Sequence, residues 1–288
     1  MRIGIGLPST IPGAVPEQVM AWAAKAEAGP FSSVSTIGRH VYDNYETLTT
    51  LAVVAGATRR VRLITAVLIA PAYHPVQLAK EAATIDALSG GRLTLGMGVG
   101  WRPDDYHATG TSFSDRGKRF EAQIATMKRV WSGKELGDGI GAIGPKPHRP
   151  GGPEILIGGA TPAALQRAGR LGDGFIAVPD TLDAMRQQFD AVEDAWKAAG
   201  KSGKPRFANL VYFALGPGVG DRAAAYVRDY YKPGGPEMQN AVAGSIMTRP
   251  EAIKGFLKAV EGIGTDEVIF VPTLSEEDQL TRLADLIA

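Results

Sequence analysis

Again and again along this 288-residue chain, a short run of β-branched and apolar residues gives way to a stretch with helical spacing. The strand-like runs fall at 3–7, 33–37, 61–69, 92–99, 154–157, 174–178, 206–215 and 267–271. Most are continuously apolar rather than alternating, as parallel strands covered on both faces must be. Between them run stripes at the 3.6-residue period. Val19, Trp22, Ala23 and Ala26 form one, and Phe120, Ile124, Met127 and Val130 another. Ile253, Phe256, Leu257 and Val260 form a third, and Leu280, Leu283 and Ile287 the last. Pro16 and Pro250 stand where helices begin, since the first helical residue needs no amide hydrogen. Eight strands alternating with helices, and ending on a helix, predict one α/β domain over 1–288, a (β/α)8 TIM barrel with loop insertions. An open doubly wound sheet is the competing arrangement; the count favours closure.

Composition narrows what such a barrel can do. With 31 basic and 30 acidic residues, no field of one sign invites nucleic acid or an anionic membrane. The chain has no cysteine, which excludes disulfides, thiolate metal sites and a cysteine nucleophile. The start, MRIGIGLPST, runs straight into a strand pattern without the features of a signal peptide. No apolar stretch approaches the roughly 20 residues that cross a bilayer. A soluble cytoplasmic protein is expected. Two Gly/Pro-rich stretches, 133–153 and 216–245, break the rhythm, and both read as extended loops over an active site, because the alternation resumes after each.

Four segments could carry chemistry. Gly158-Gly159-Ala160-Thr161-Pro162 follows a strand and opens a helix. Glycines admit a close ligand, Thr161 can cap the helix, and its free amides and partial positive charge suit an anion such as a phosphate. A plain capped turn reads equally well from these residues alone. Arg167 and Arg170, further along that helix, are expected to be solvated. Gly96-Met97-Gly98-Val99-Gly100-Trp101 has the wrong spacing for a dinucleotide fingerprint. Its small residues either leave room for a flat ligand, as at Gly98, or pack closely inside the barrel, as at Gly96. Trp101 and Asp104 beyond it are candidates for a pocket wall. Arg39, His40, Tyr42 and Asp43 gather after the second strand, at the end of the barrel where catalytic groups sit. His40 can exchange a proton near neutrality, and a structural role is the alternative. His74, His107 and His148 are scattered, no His-Glu-x-x-His occurs, and no metal site is expected. No serine lies in a G-x-S-x-G context. The segment 65–75 reads as a buried strand and a proline-marked exit.

Taken together, these segments resemble the luciferase-like monooxygenase superfamily, which includes F420-dependent reductases and dehydrogenases. The run HPVQLAKEAATIDALSGGRLTLGMGVGW at 74–101 carries most of the likeness; RIGIGLP, the helix from Gly117 through Trp131, and ILIGGATPAALQRAGRLGDGF extend it along the chain. The resemblance implies a flavin or deazaflavin whose phosphate sits on Gly158, Gly159, Ala160 and Thr161. It also implies a non-proline cis peptide at Ala66-Val67 beneath the ring. Many relatives carry Ser-Asp-His after the second strand, where this chain has Ile37-Gly38-Arg39-His40. The familiar histidine role therefore does not transfer. Arginine cannot act as a general acid near neutral pH, but it can stabilise a reduced flavin anion or an anionic substrate.

The expectation is a flavin-dependent oxidoreductase using reduced FMN and oxygen on a small organic substrate, with F420 and hydride transfer as the alternative. Arg39 and His40 are the catalytic candidates. Ala66, Val67, Gly98 and Gly158–Thr161 would hold the cofactor, and Tyr42, Trp101 and Asp104 the substrate. The resemblance implies a homodimer and a separate flavin reductase as partners. A flavin-binding protein without catalysis is a rival reading. A metal or Schiff-base barrel enzyme is another, although the strand segments contain no lysine.

Overall fold

The computed structural model describes residues 1–137, 139–178 and 180–288. Eight parallel strands close on themselves in chain order. They are β1 (Arg2–Gly6), β2 (Ser33–Thr36), β3 (Arg62–Ile69), β4 (Leu93–Gly98), β5 (Glu154–Gly158), β6 (Gly174–Ala177), β7 (Arg206–Phe213) and β8 (Glu267–Pro272). The ring is completed by β1 against β8, with Gly4 opposite Ile269. The predicted barrel is the observed one.

The helices are α1 (Pro16–Ala28), α2 (Thr47–Ala57), α3 (Pro75–Leu88), α4 (Pro103–Ala108), α5 (Arg116–Trp131) and α6 (Pro162–Leu171). They continue with α7 (Leu182–Ala198), α8 (Gly220–Tyr230), α9 (Gly235–Gly244), α10 (Pro250–Glu261) and α11 (Asp278–Ile287). Pro16 and Pro250 open α1 and α10, as expected. The predicted stripes point at the sheet: Trp22, Phe120 and Met127 are fully buried. No helix among the described residues is long and apolar enough to cross a membrane.

Inside the barrel the strands differ from end to end. At the N-terminal end lies a polar layer: Arg62, Thr94, Glu154, Arg206 and Glu267, joined by Ser33. Arg206 pairs with both Glu154 and Glu267. Arg62 reaches Glu154 at 3.3 Å, and Thr94 donates to it at 2.9 Å. Ser32 and Ser33 each donate to Glu267 Oε1 at 2.6 Å. Burial alone would raise the Glu154 carboxyl, but Arg206 and Arg62 beside it outweigh that and hold it below the usual range. Above this layer Leu156, Ile176 and Ala208 fill the interior, with Val67 and Leu210 against them. Gly96 belongs to this packing, because a Cβ there would lie 2.0 Å from the Thr65 carbonyl oxygen.

The two Gly/Pro-rich stretches part company. The stretch 133–153 joins α5 to β5, so its described residues lie at the N-terminal end of the barrel, away from the strand exits. They are tied there by Lys80 Nζ donating to the Gly144 carbonyl and by the His148 amide donating to Asp86. The expectation of a loop over the active site fails for this stretch, because it follows a helix rather than a strand. The second stretch does leave a strand exit, and it is largely helical. It holds α8, a 3-10 turn at Lys232–Gly234 and α9. Its base is pinned where Met247 bridges Phe213: the Met247 amide donates to the Tyr212 carbonyl, and the Ala214 amide to that of Met247.

Candidate active site

The C-terminal ends of β3, β4 and β5 form one wall of the mouth. Thr161 caps α6, its hydroxyl accepting from the Ala164 amide at 3.3 Å, with Pro162 at the first helical position. Gly159 takes φ +131°, a backbone conformation that side chains rarely adopt. Gly159, Ala160 and Thr161 are exposed and Gly158 is half-buried, so the turn presents α6's positive end to open space. Gly158 also borders a shelf. A Cβ on Gly98 would lie 3.2 Å from Val67 Cγ2, and one on Gly158 3.2 Å from Val67 Cγ1. Glycine at both positions therefore leaves the Val67 side chain uncrowded on either side. The Ala66–Val67 peptide is cis, and the β3–β4 pairing shifts register between Thr65 and Leu68. A planar ring with a phosphate tail fits these residues: a floor of small groups, then donors at a helix start.

A second wall, joined to the first where the Gly38 amide donates to the Val67 carbonyl, is built on Asp105, in the first turn of α4. Its Oδ1 accepts from the amides of both His40 and Val41 at 2.9 Å. Its Oδ2 lies 3.2 Å from Arg39 Nε, and the two side chains are only 1% and 5% exposed. Asp105 thus shapes the loop after β2 and neutralises part of the charge it carries. Arg39 Nη2 is buried without a hydrogen-bond partner. The His40 ring rests 4.9 Å from that of Tyr73. Burial pushes its pKa down, against the pull of Asp105 and Glu46, so the imidazole is neutral at neutral pH and can accept a proton.

The α8–α9 segment covers this wall with aromatic rings. Tyr42 donates to Asp229 at 2.8 Å and meets Tyr230 edge-on at 4.9 Å. Arg39 lies 5.1 Å from the centroid of the Tyr230 ring. The hydroxyls of Thr10 and Tyr226 are 2.8 Å apart, and those of Tyr212 and Tyr231 3.2 Å. Burial raises the pKa of Tyr226, Tyr230 and Tyr231, so these phenols stay protonated.

Sequence reasoning and structure divide over particular residues. Arg39 and Tyr42 come together with α8, His40 rests on Tyr73 beyond β3, and Val67, Gly98 and Gly158 meet one another. Trp101 faces Tyr231. Asp104 is half-buried and engaged by Arg102, whereas its neighbour Asp105 does the organising. Two adjacent acids in one helical turn point in different directions, and the sequence alone does not say which points inward. Arg167 is not solvated: it is buried, 3.3 Å from Glu121 and over the Phe120 ring, so it ties α6 to α5. The tyrosines of α8 escaped notice because Gly-Pro-Gly and Pro-Gly-Gly-Pro around them read as loop.

The luciferase-like monooxygenase family profile matches residues 1–267. A Mycobacterium tuberculosis protein is 30% identical over 167 residues, covering 56% of this chain and 59% of that protein. The FMNH2-dependent dimethylsulfone monooxygenase of Pseudomonas putida is 27% identical over 241 residues, covering 80% of this chain and 61% of that enzyme. The chain spans less than two thirds of the length of either relative. An F420-dependent secondary alcohol dehydrogenase, solved with an F420–acetone adduct, superposes with a TM-score of 0.82 over 100% of both chains. At 17% identity that likeness is one of fold. With a family profile covering nearly the whole chain and a closed barrel beneath it, this protein belongs to the luciferase-like monooxygenase family.

Proposed function

We propose that the chain is a flavin-dependent monooxygenase that takes reduced FMN and oxygen to a small organic substrate. The observation that carries this reading is the sharing of Gly158 between the exposed, capped turn and the Val67 floor, one continuous seat for a phosphate and a ring. Bound FMN supplies the electrons that activate oxygen. The chain supplies the rest. The turn at 158–161 and the start of α6 bind the phosphate. Val67 and Gly98 orient the ring. Arg39 stabilises negative charge as it develops, and neutral His40 holds or accepts a proton at a ring nitrogen. The α8–α9 segment excludes water. A second copy of this chain and a separate flavin reductase are the proposed partners.

Titration of the apo-protein with FMN, FAD and F420, followed by flavin or deazaflavin fluorescence, tests the reading. Micromolar binding of FMN is expected, equivalent to about 8 kcal/mol. Binding of F420 alone would move the chemistry to hydride transfer, and binding of none would end the flavin reading.

A further inference from the structure

The loop after β2 carries His40 and ends at Glu46. Tyr73, which leaves the exit of β3 after a 3-10 turn at Ala70–Ala72, meets both side chains. Its ring lies 4.9 Å from the His40 imidazole, centroid to centroid, with the planes tilted by 49°. Its hydroxyl donates to Glu46 Oε1 at 3.1 Å. Tyr73 is held at its backbone as well. Its amide donates to the Ala70 carbonyl at 2.9 Å, and its carbonyl accepts from the buried Gln123 of α5 at 3.3 Å. Burial raises the pKa of the phenol, so it stays protonated and remains a donor. Glu46 has a second bond. Its Oε2 accepts from the Thr49 amide at 2.6 Å, which caps α2. The residues preferred at such a cap are Ser, Thr, Asp and Asn, all with shorter side chains. Capping alone does not call for a glutamate. The extra reach lets one carboxylate hold the helix start with one oxygen and Tyr73 with the other.

We propose that Glu46 and Tyr73 are positioning residues for His40: Glu46 fixes the phenol, and the phenol ring fixes the imidazole at the barrel mouth. Asp105 holds the backbone of His40 through its amide, and Tyr73 holds the ring. The inference rests on the reading of His40 as the group that holds or accepts a proton, but the placement of the ring can be measured without flavin. The charged groups facing His40 are Asp105 from α4, Glu46 at the start of α2 and Arg39 beside it on the loop. Asp105 and Arg39 act on the imidazole whatever Tyr73 does. A purely electrostatic part for Glu46 would need only its charge; a positioning part needs its length.

The test follows the His40 ring protons of the full chain by proton NMR across a pH titration, the resonance being assigned by its loss in His40→Gln. In the parent, the Tyr73 ring current displaces that resonance, and burial keeps the titration below the ordinary histidine value. Glu46→Asp keeps the charge and a favoured helix cap but falls one methylene short of Tyr73, so the displacement should shrink while the thermal midpoint holds. Tyr73→Phe keeps the ring and loses the bond to Glu46, and should shift the resonance as Glu46→Asp does. The two changes together should add little to either alone, because they break the same link. Tyr73→Leu should abolish the displacement and return the titration toward the ordinary value. A resonance that stays at the parent position in both Glu46→Asp and Tyr73→Phe overturns the proposal, as does a Tyr73→Leu protein with the parent's titration. Glu46 is exposed and Tyr73→Phe keeps the packing ring, so these two variants decide the matter even where Tyr73→Leu fails to fold. Shifted resonances in a protein that binds no FMN remove the flavin reading alone; FMN binding with an unmoved resonance removes this inference alone.

Discussion

Glu267→Ala should lower the thermal midpoint by about 10 °C. Glu267 is fully buried at the N-terminal end of the barrel, where it accepts from Ser32 and Ser33 and pairs with Arg206. Removing it leaves the Ser33 hydroxyl and part of a buried guanidinium without partners, while the Ser32 hydroxyl keeps the Ile3 carbonyl. Breaking one side of a buried pair costs about 3–5 kcal/mol. In a domain of this size each kcal/mol shifts the midpoint by about 2–4 °C. A double replacement, Glu267→Leu with Arg206→Met, should recover much of the loss, because it removes both charges together. The layer also fixes a pH dependence. The Glu154 carboxyl is held below its unfolded value, so its contribution is complete above the ordinary carboxylate range. It is lost as the pH falls through the depressed value, since the unfolded chain takes up the proton first. Calorimetric scans of the variants between neutral and acid pH check both statements. A Glu267→Ala midpoint within about 2 °C of the parent would show that the layer contributes little.

Asp105→Ala should reduce turnover about 100-fold, since displacement of reacting groups by about 1 Å has that effect. Asp105 holds the His40 and Val41 amides and faces the Arg39 guanidinium at once. Its loss frees the loop after β2 and leaves a buried cation against the Tyr230 ring. Stability should also fall by about 3–5 kcal/mol. Asp105→Asn keeps an acceptor for one or both amides but not the charge, so it should restore the fold better than the activity. Thermal midpoint and turnover, measured on both variants, separate the two effects. Full activity in Asp105→Ala would contradict the account of this wall.

The barrel was legible because its evidence is periodic. Continuous apolar runs mean strands buried on both faces, and eight of them close. The capped start of α6 was legible because Thr161-Pro162 is a local capping signal. The polar layer was not, although Arg62, Glu154, Arg206 and Glu267 all stand at or beside a strand start. Read singly, a charge at a strand end looks like a solvated flank; only closure brings the four together. The α8–α9 segment was hidden for a different reason. Its prolines and glycines signal turns, yet Pro236 stands at the second residue of α9, where it does no harm to a helix. Asp105 was missed beside Asp104 because orientation within one helical turn depends on what the helix packs against.

The central claim is that a coenzyme's phosphate rests on the turn at 158–161. Ala160→Asp tests it with one measurement, the FMN dissociation constant of the variant against that of the parent protein. A carboxylate just before α6 favours the helix dipole, so the fold should be no less stable. The same charge occupies and repels the phosphate position, so FMN should bind at least about tenfold more weakly, while riboflavin, which lacks the phosphate, is unaffected. Equal FMN affinity in the variant and the parent would contradict the claim.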